Sequence, residues 1–248
     1  MLKESLKTVR KLQSNSEVYT QIANSFQAAF ARTPLPLYLR IAFHDAGTFD
    51  KFTNTGGPNG SILNATELAR DENKGISTVK DVYLNIKTSF PSVSLADIIQ
   101  IGGYVSVSAS GGPVMPFRFG RADCTASTAD TDGRIPDPSS KNVRAIFRSM
   151  GFNDIETVAL SGAHTLGGLR FVGPQLIPFT NQPLVFSNKY YQLLLQAQQQ
   201  GLARLISDSF LVMDPALLAI VQSFANNNDL FFSEYSKAHV KLSELGYH

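Results

Sequence analysis

Apolar residues recur at intervals of three and four along most of this chain, a period that restricts it largely to helices. Val18, Ile22, Phe26, Ala29 and Phe30 place one apolar stripe on a helix facing a core. Pro34 and Pro36 interrupt that pattern, and a second helical stretch runs from about Leu37 to Ala46. Ser94 with Asp97 has the form of a capping box, opening a helix through Ile98, Ile99, Ile101 and Val105. Asp154 can cap a short helix carrying Ile155, Val158 and Leu160. Asp214–Pro215 is a start signal ahead of Leu217, Leu218, Val221 and Phe224. A last helix, about Asp229 to Leu245, stops at Gly246. Strand signals are few: Pro113 and Pro116 make the segment from Val114 to Phe119 irregular. Loops rich in Gly, Asp, Pro and Ser lie at 54–60 and 128–140, and no repeat or linker divides the chain. The expected fold is all-α with minimal β, one domain over 1–248.

Composition narrows the function. With 248 residues, 43% hydrophobic and 17% charged, the chain can bury a substantial core. A net charge of +2 and the lack of a Lys/Arg run give no basis for nucleic-acid binding. No apolar stretch is long enough to span a bilayer, and the N-terminus lacks the apolar centre of a signal peptide. A soluble protein of the cytosol, or of a plastid or mitochondrion after N-terminal processing, is expected. Cys124 is the single cysteine, so no intramolecular disulfide can form.

Four histidines occur: His44, His164, His239 and His248. Arg40 and His44 are four apart, so a helix points both to one face, among the apolar Leu37, Ile41, Ala42 and Phe43. A guanidinium beside an imidazole suits a reaction that moves a proton and develops negative charge. An Arg held by a carboxylate beside a core histidine has the same spacing. His164 follows an apolar helical segment, and the small Gly162 and Ala163 would let a flat ligand approach. It is a candidate axial ligand for iron or a buried structural histidine. Spacing does not separate these alternatives.

The run from Leu39 to Asp50, LRIAFHDAGTFD, resembles the distal helix of class I haem peroxidases, especially ascorbate peroxidases. Val158 to Gly167, VALSGAHTLG, resembles their proximal signature. The segments at 57–62, Glu67–Leu68 with Asn73, 94–97, 111–113 with Gly120–Arg121, 133–137, and Phe231–Phe232 to Leu245 match in order and spacing, so the likeness covers nearly the whole chain. It implies about ten helices in two lobes around a haem crevice, the distal lobe about 1–138 and the proximal about 139–248. It implies haem b, with His164 as axial iron ligand and Asp208 accepting the proton of its Nδ1, although a helix cap would equally explain Asp208. His44 would move a proton between the peroxide oxygens, Arg40 would stabilise the developing charge, and Asn73 would hold His44 in its basic tautomer. Hydrogen peroxide and a small electron donor are the implied partners.

Departures from the pattern shape the donor expectations. Phe43 and Phe179 stand where the family places Trp over and under the haem, and the chain has no Trp, so a Trp radical is impossible. Arg32 aligns with a donor-binding Lys, but the family's second donor contact falls near Gly173 or Pro174, which leaves ascorbate and a small phenol as alternatives. Arg170 would pair with a haem propionate or be a surface charge. Thr165 and Thr180 match two potassium ligands, while Ser187 replaces the acidic one, which weakens the expected site. These departures also fit a catalytically weakened or haem-free homologue, serving as a structural subunit of a larger organellar complex, or a haem carrier. The retained Arg40, His44, Asn73, His164 and Asp208 favour the enzyme.

Overall fold

In the computed structural model, residues 2–125, 130–136, 142–169, 176–196, 202 and 204–247 are described, with side chains from residue 15 onward. Among them are eleven α-helices and one two-residue antiparallel ribbon, so the all-α expectation holds. The helices are α1 (Leu2–Phe30), α2 (Pro36–Ala46), α3 (Ala65–Leu68), α4 (Lys80–Ser89), α5 (Leu95–Ala109), α6 (Val143–Met150), α7 (Asp154–Ser161), α8 (Lys189–Leu194), α9 (Ile206–Met213), α10 (Pro215–Asn226) and α11 (Asn228–Ser243). The ribbon pairs β1 (Gly168–Leu169) with β2 (Ile177–Pro178). No single described helix is long and apolar enough to cross a membrane.

α5 is the axis of the molecule. Every residue from Ala96 to Val107 is buried, as expected of a helix apolar on all sides. It packs against α1, α2 and α4, closest where Gly103 meets Ala42: a Cβ on Gly103 would sit 2.6 Å from the Ala42 Cβ. One apolar cluster gathers Ile22, Phe26, Tyr38, Ile41, Tyr83 and Ile98 with their neighbours. A second joins Leu39, Ala46, Tyr104 and Val107 to the chain from Val143 to Leu245. α2 and α5 serve both clusters, so the helix that carries Arg40 and His44 is clamped from two sides. α7 packs mainly on α11, and α9 turns sharply into α10, by 99°.

Most start signals are where the sequence places them, with two corrections. Asp214 caps α10, accepting the Ala216 and Leu217 N–H groups at 2.9 and 3.2 Å, with Pro215 at the first helical position. α7, however, is capped by Asn153 in a reciprocal box with Glu156, not by Asp154, which lies inside the helix and pairs with Arg144 at 3.0 Å. Ser94 accepts the Asp97 N–H at 3.0 Å, but the box is not reciprocated. The Asp97 carboxylate turns instead to the Gly120 and Arg121 N–H groups and to the Arg121 guanidinium at 2.7 Å, a buried pair. A carboxylate with three cationic or N–H donors in the interior is better satisfied there than at an exposed helix end. The segment 112–125 is irregular, as the prolines require, and so is the loop 54–60.

Candidate active site

α2 begins at Pro36, whose fixed φ suits the first helical turn, and its inner face carries Arg40, Phe43 and His44 half-buried. His44 Nδ1 lies 2.6 Å from Asn73 Oδ1, and the Asn73 amide donates to the Glu67 carbonyl at 2.8 Å. Because the amide nitrogen is committed to Glu67, its oxygen faces His44. An amide oxygen only accepts, so the His44 proton is on Nδ1 and the lone pair is on Nε2. Burial first, and then the Arg40 charge, depress the His44 pKa to about 3, against a smaller upward effect of the Asn73 bond.

Arg40 has no carboxylate partner in the described structure, which sets aside the reading of an Arg held by an acid. Its guanidinium donates to the backbone carbonyls of Lys74 at 2.8 Å and Glu72 at 2.5 Å. These neutral acceptors fix its direction without cancelling its charge, and burial lowers its pKa. Phe43 lies against Phe147, with 6.0 Å between ring centroids, and edge-on to His44.

His164 sits in the short 3₁₀ turn Gly162–Thr165 that follows α7. Its Nδ1 meets Asp208 Oδ1 at 2.8 Å, the same oxygen accepts the Tyr190 hydroxyl at 2.8 Å, and Asp208 Oδ2 accepts the Leu205 N–H at 3.2 Å, three residues before it. The helix cap and the histidine partner were alternatives for Asp208 in the sequence; the carboxylate is both, one oxygen for each. Burial pulls the His164 pKa down and Arg40 adds to this, but the Asp208 charge and hydrogen bond outweigh both, and the net shift is upward. Phe179 stacks on the His164 ring at 4.7 Å and 21°. The His44 and His164 rings are close enough for the charge of one to perturb the other.

Gly162 departs from expectation. A Cβ there would lie 2.3 Å from the Tyr191 hydroxyl and 2.6 Å from Phe231, so its smallness serves core packing and not the approach of a flat ligand. Tyr190, Phe147 and the carbonyls of Glu67, Glu72 and Lys74 also belong to the site. Sequence reasoning missed the carbonyls because a backbone acceptor leaves no side-chain signature, and Tyr190 and Phe147 because they reach the site from distant segments. Arg32 is exposed just beyond α1. Thr165 and Thr180 are brought together: the Thr180 hydroxyl donates to the Thr165 carbonyl at 3.2 Å and the Thr165 hydroxyl to Val185 at 3.3 Å, while the Ser187 hydroxyl accepts the Lys189 N–H. Arg170, Gly173 and Pro174 lie outside the described residues.

The donor set fits a haem iron. On one side stands an imidazole whose Nδ1 proton goes to a buried carboxylate, the usual arrangement of a metal-ligating histidine. On the other stand a base and a guanidinium. No described residue hydrogen-bonds Nε2 of either histidine, and the His164 side chain keeps 34% of its exposure despite the enclosed surroundings of Asp208.

Comparison with known proteins agrees. The model of the peroxidase family matches residues 16–227. The chain is 42% identical to cytosolic L-ascorbate peroxidase 2 of Arabidopsis thaliana over 86% of its own length and 85% of the relative's. It is 39% identical to L-ascorbate peroxidase 3 of the same plant over 99% and 82%. To a probable peroxisomal L-ascorbate peroxidase 3 of Oryza sativa subsp. japonica it is 41% identical over 86% and 73%. The chain belongs to the peroxidase family, in its class I, ascorbate-peroxidase-related branch.

Proposed function

We propose that this chain is a haem-dependent peroxidase that reduces hydrogen peroxide to water with a small organic reductant. One observation carries the reading: two histidines that feel each other's charge are each tied down through Nδ1, His44 by Asn73 and His164 by Asp208, and among the described residues neither has a hydrogen bond at Nε2. His164 would hold the iron and Phe43 and Phe179 would flank the macrocycle. When bound, haem supplies the two electrons that peroxide takes and regains them singly from the reductant. A haem of b type is favoured over one of c type, because c-type attachment uses a pair of cysteines and the chain has one.

The residues divide the work by what they can hold. His44 Nε2 takes a proton from peroxide and returns it to the departing oxygen; its depressed pKa keeps it free to do so. Arg40, held by two carbonyls and no carboxylate among the described residues, keeps its charge for the oxygen that becomes negative as the O–O bond lengthens. Asp208 draws on the Nδ1 proton, making His164 a stronger electron donor to the metal.

A scaffold reading is not favoured. A half-buried guanidinium without a counter-charge among the described residues is costly, and a non-catalytic subunit gains nothing from keeping one. The names of the relatives favour ascorbate as reductant, with Arg32 as the retained contact and a small phenol as the alternative. They also favour the cytosol or peroxisome over a plastid or mitochondrion. A tightly held potassium ion is not part of this reading, because Ser187 brings no negative charge to Thr165 and Thr180.

The test is spectroscopic. Haem-loaded protein should show a Soret band that shifts within seconds of adding hydrogen peroxide. His44→Ala should keep the band and slow the shift by at least about 10²-fold. A variant as fast as the parent would remove His44 from the mechanism, and protein that takes up no haem would restore the scaffold.

A further inference from the structure

His239 has no part in that chemistry, yet it is completely buried. Its Nδ1 lies 3.0 Å from the Tyr235 hydroxyl, and its Nε2 is enclosed without a partner. A structural histidine is normally satisfied on both nitrogens. This one keeps a single bond, to a phenol.

Tyr235 is joined to the iron side by rings in contact. Tyr190 stands edge-on to His164 at 5.9 Å and 5.1 Å from Tyr191. Phe231 then bridges Tyr191 and Tyr235, at 5.0 and 5.7 Å. Beyond His239 the contacts continue through Tyr104 and Phe117 to the half-buried Tyr19 of α1, at 5.0, 5.2 and 5.6 Å. All are within the range of directly packed aromatic pairs.

A tyrosine that loses an electron must also lose its phenolic proton, so its hydrogen-bond partner decides whether it can be oxidised. The Tyr191 hydroxyl donates to the carbonyls of Val158 and Ala159, which do not take a proton. Tyr104 meets the hydroxyl of Ser243. Tyr190 donates to Asp208, whose protonation would undo the bond that holds His164. Tyr235 faces an imidazole with no other commitment. Burial, and then the charge of Arg121, disfavour a charged His239, and Asp97 pairs with that guanidinium at 2.7 Å.

We propose that Tyr235 is a redox-active residue of this Trp-free chain, giving one electron toward the haem crevice while its proton passes to His239. The proposal rests on the peroxidase reading, which supplies the oxidant. Haem supplies the two electrons that hydrogen peroxide takes, which with two protons from solvent give two waters; Tyr235 returns one of those electrons to the haem, and the small reductant returns the other. The Tyr235 O–H bond breaks, the His239 Nδ1–H bond forms, and a neutral phenoxyl radical faces an imidazolium. The small reductant later returns one electron, and His239 returns the proton.

Electron paramagnetic resonance of haem-loaded protein, mixed with hydrogen peroxide and frozen within seconds, reads this directly. A tyrosyl signal is expected, with hyperfine structure that changes when the tyrosines are ring-deuterated. Tyr235→Phe should abolish it and His239→Gln should lower its yield severalfold, both with an unchanged rate of the Soret shift. Tyr104→Phe, in the same cluster, should retain the signal and so control for packing. A fast Soret shift without a tyrosyl signal, or an undiminished signal in Tyr235→Phe, overturns this proposal alone. No Soret shift in the parent overturns the peroxidase reading and this one with it.

Discussion

At the scale of single residues, the site works through partners that settle protonation states. Asn73 is the clearest case: its amide is oriented by Glu67 and in turn decides which nitrogen of His44 is basic. Asn73→Ala should therefore slow the peroxide reaction by roughly 10- to 100-fold with haem still bound, measured by stopped-flow absorbance. The pH profile follows from the same residue. A base must be neutral to act, and His44 is neutral above a pKa of about 3, so the rate constant should stay flat from neutral pH to about 5 and drop only below that. A midpoint near 6.5, the ordinary histidine value, would show that neither burial nor Arg40 acts on His44 as described.

At the scale of elements, the site is a product of helix ends and close crossings. The turn bearing His164 can follow α7 directly because Gly162 leaves room for Tyr191 and Phe231. Gly162→Ala should cost about 1–3 kcal/mol and lower the Soret absorbance per mole of protein, both read from thermal and spectral titration. Asp97 illustrates a different dependence. Asp97→Ala would leave the Arg121 guanidinium buried without its partner, at a cost of about 3–5 kcal/mol by chemical denaturation. These elements also show how far the sequence could be read. The apolar period located α2, α5, α10 and α11 to within a few residues, because their burial patterns are helical and their caps are local. The cap of α7 was misplaced by one residue, since Asn153 and Asp154 are both good caps and only packing against Arg144 decides between them. The carbonyls that hold Arg40 and the Tyr190 hydroxyl on Asp208 depend on how distant segments meet, which no local pattern encodes.

For the whole molecule, two neutral histidines, one fully buried and one half-buried, contribute to the response to acid. His44 and His239 are each held near a pKa of about 3 by burial, with Arg40 and Arg121 respectively adding to it, against about 6.5 in an unfolded chain. Between those values the unfolded chain binds more protons, so folding stability should decline as the pH falls from 6.5 toward 3. The fully buried His239 accounts for on the order of 1 kcal/mol per pH unit of that decline. Urea unfolding of His239→Gln should show a shallower dependence between pH 6.5 and 5; an identical slope would mean that His239 does not titrate on unfolding. The two apolar clusters meet along α2 and α5, so this loss should be felt by the molecule as one cooperative unit.

Asp208 links those scales. One of its oxygens starts a helix and the other holds the Nδ1 proton of His164, the proposed iron ligand, so the two properties cannot be varied separately at that position. Replacing the carboxylate leaves His164 with a firmer hold on its Nδ1 proton and at the same time frays the first turn of α9. Redox tuning in this chain must therefore come from neighbours such as Tyr190, whose hydroxyl shares the oxygen that faces the histidine and leaves the one that holds the helix untouched.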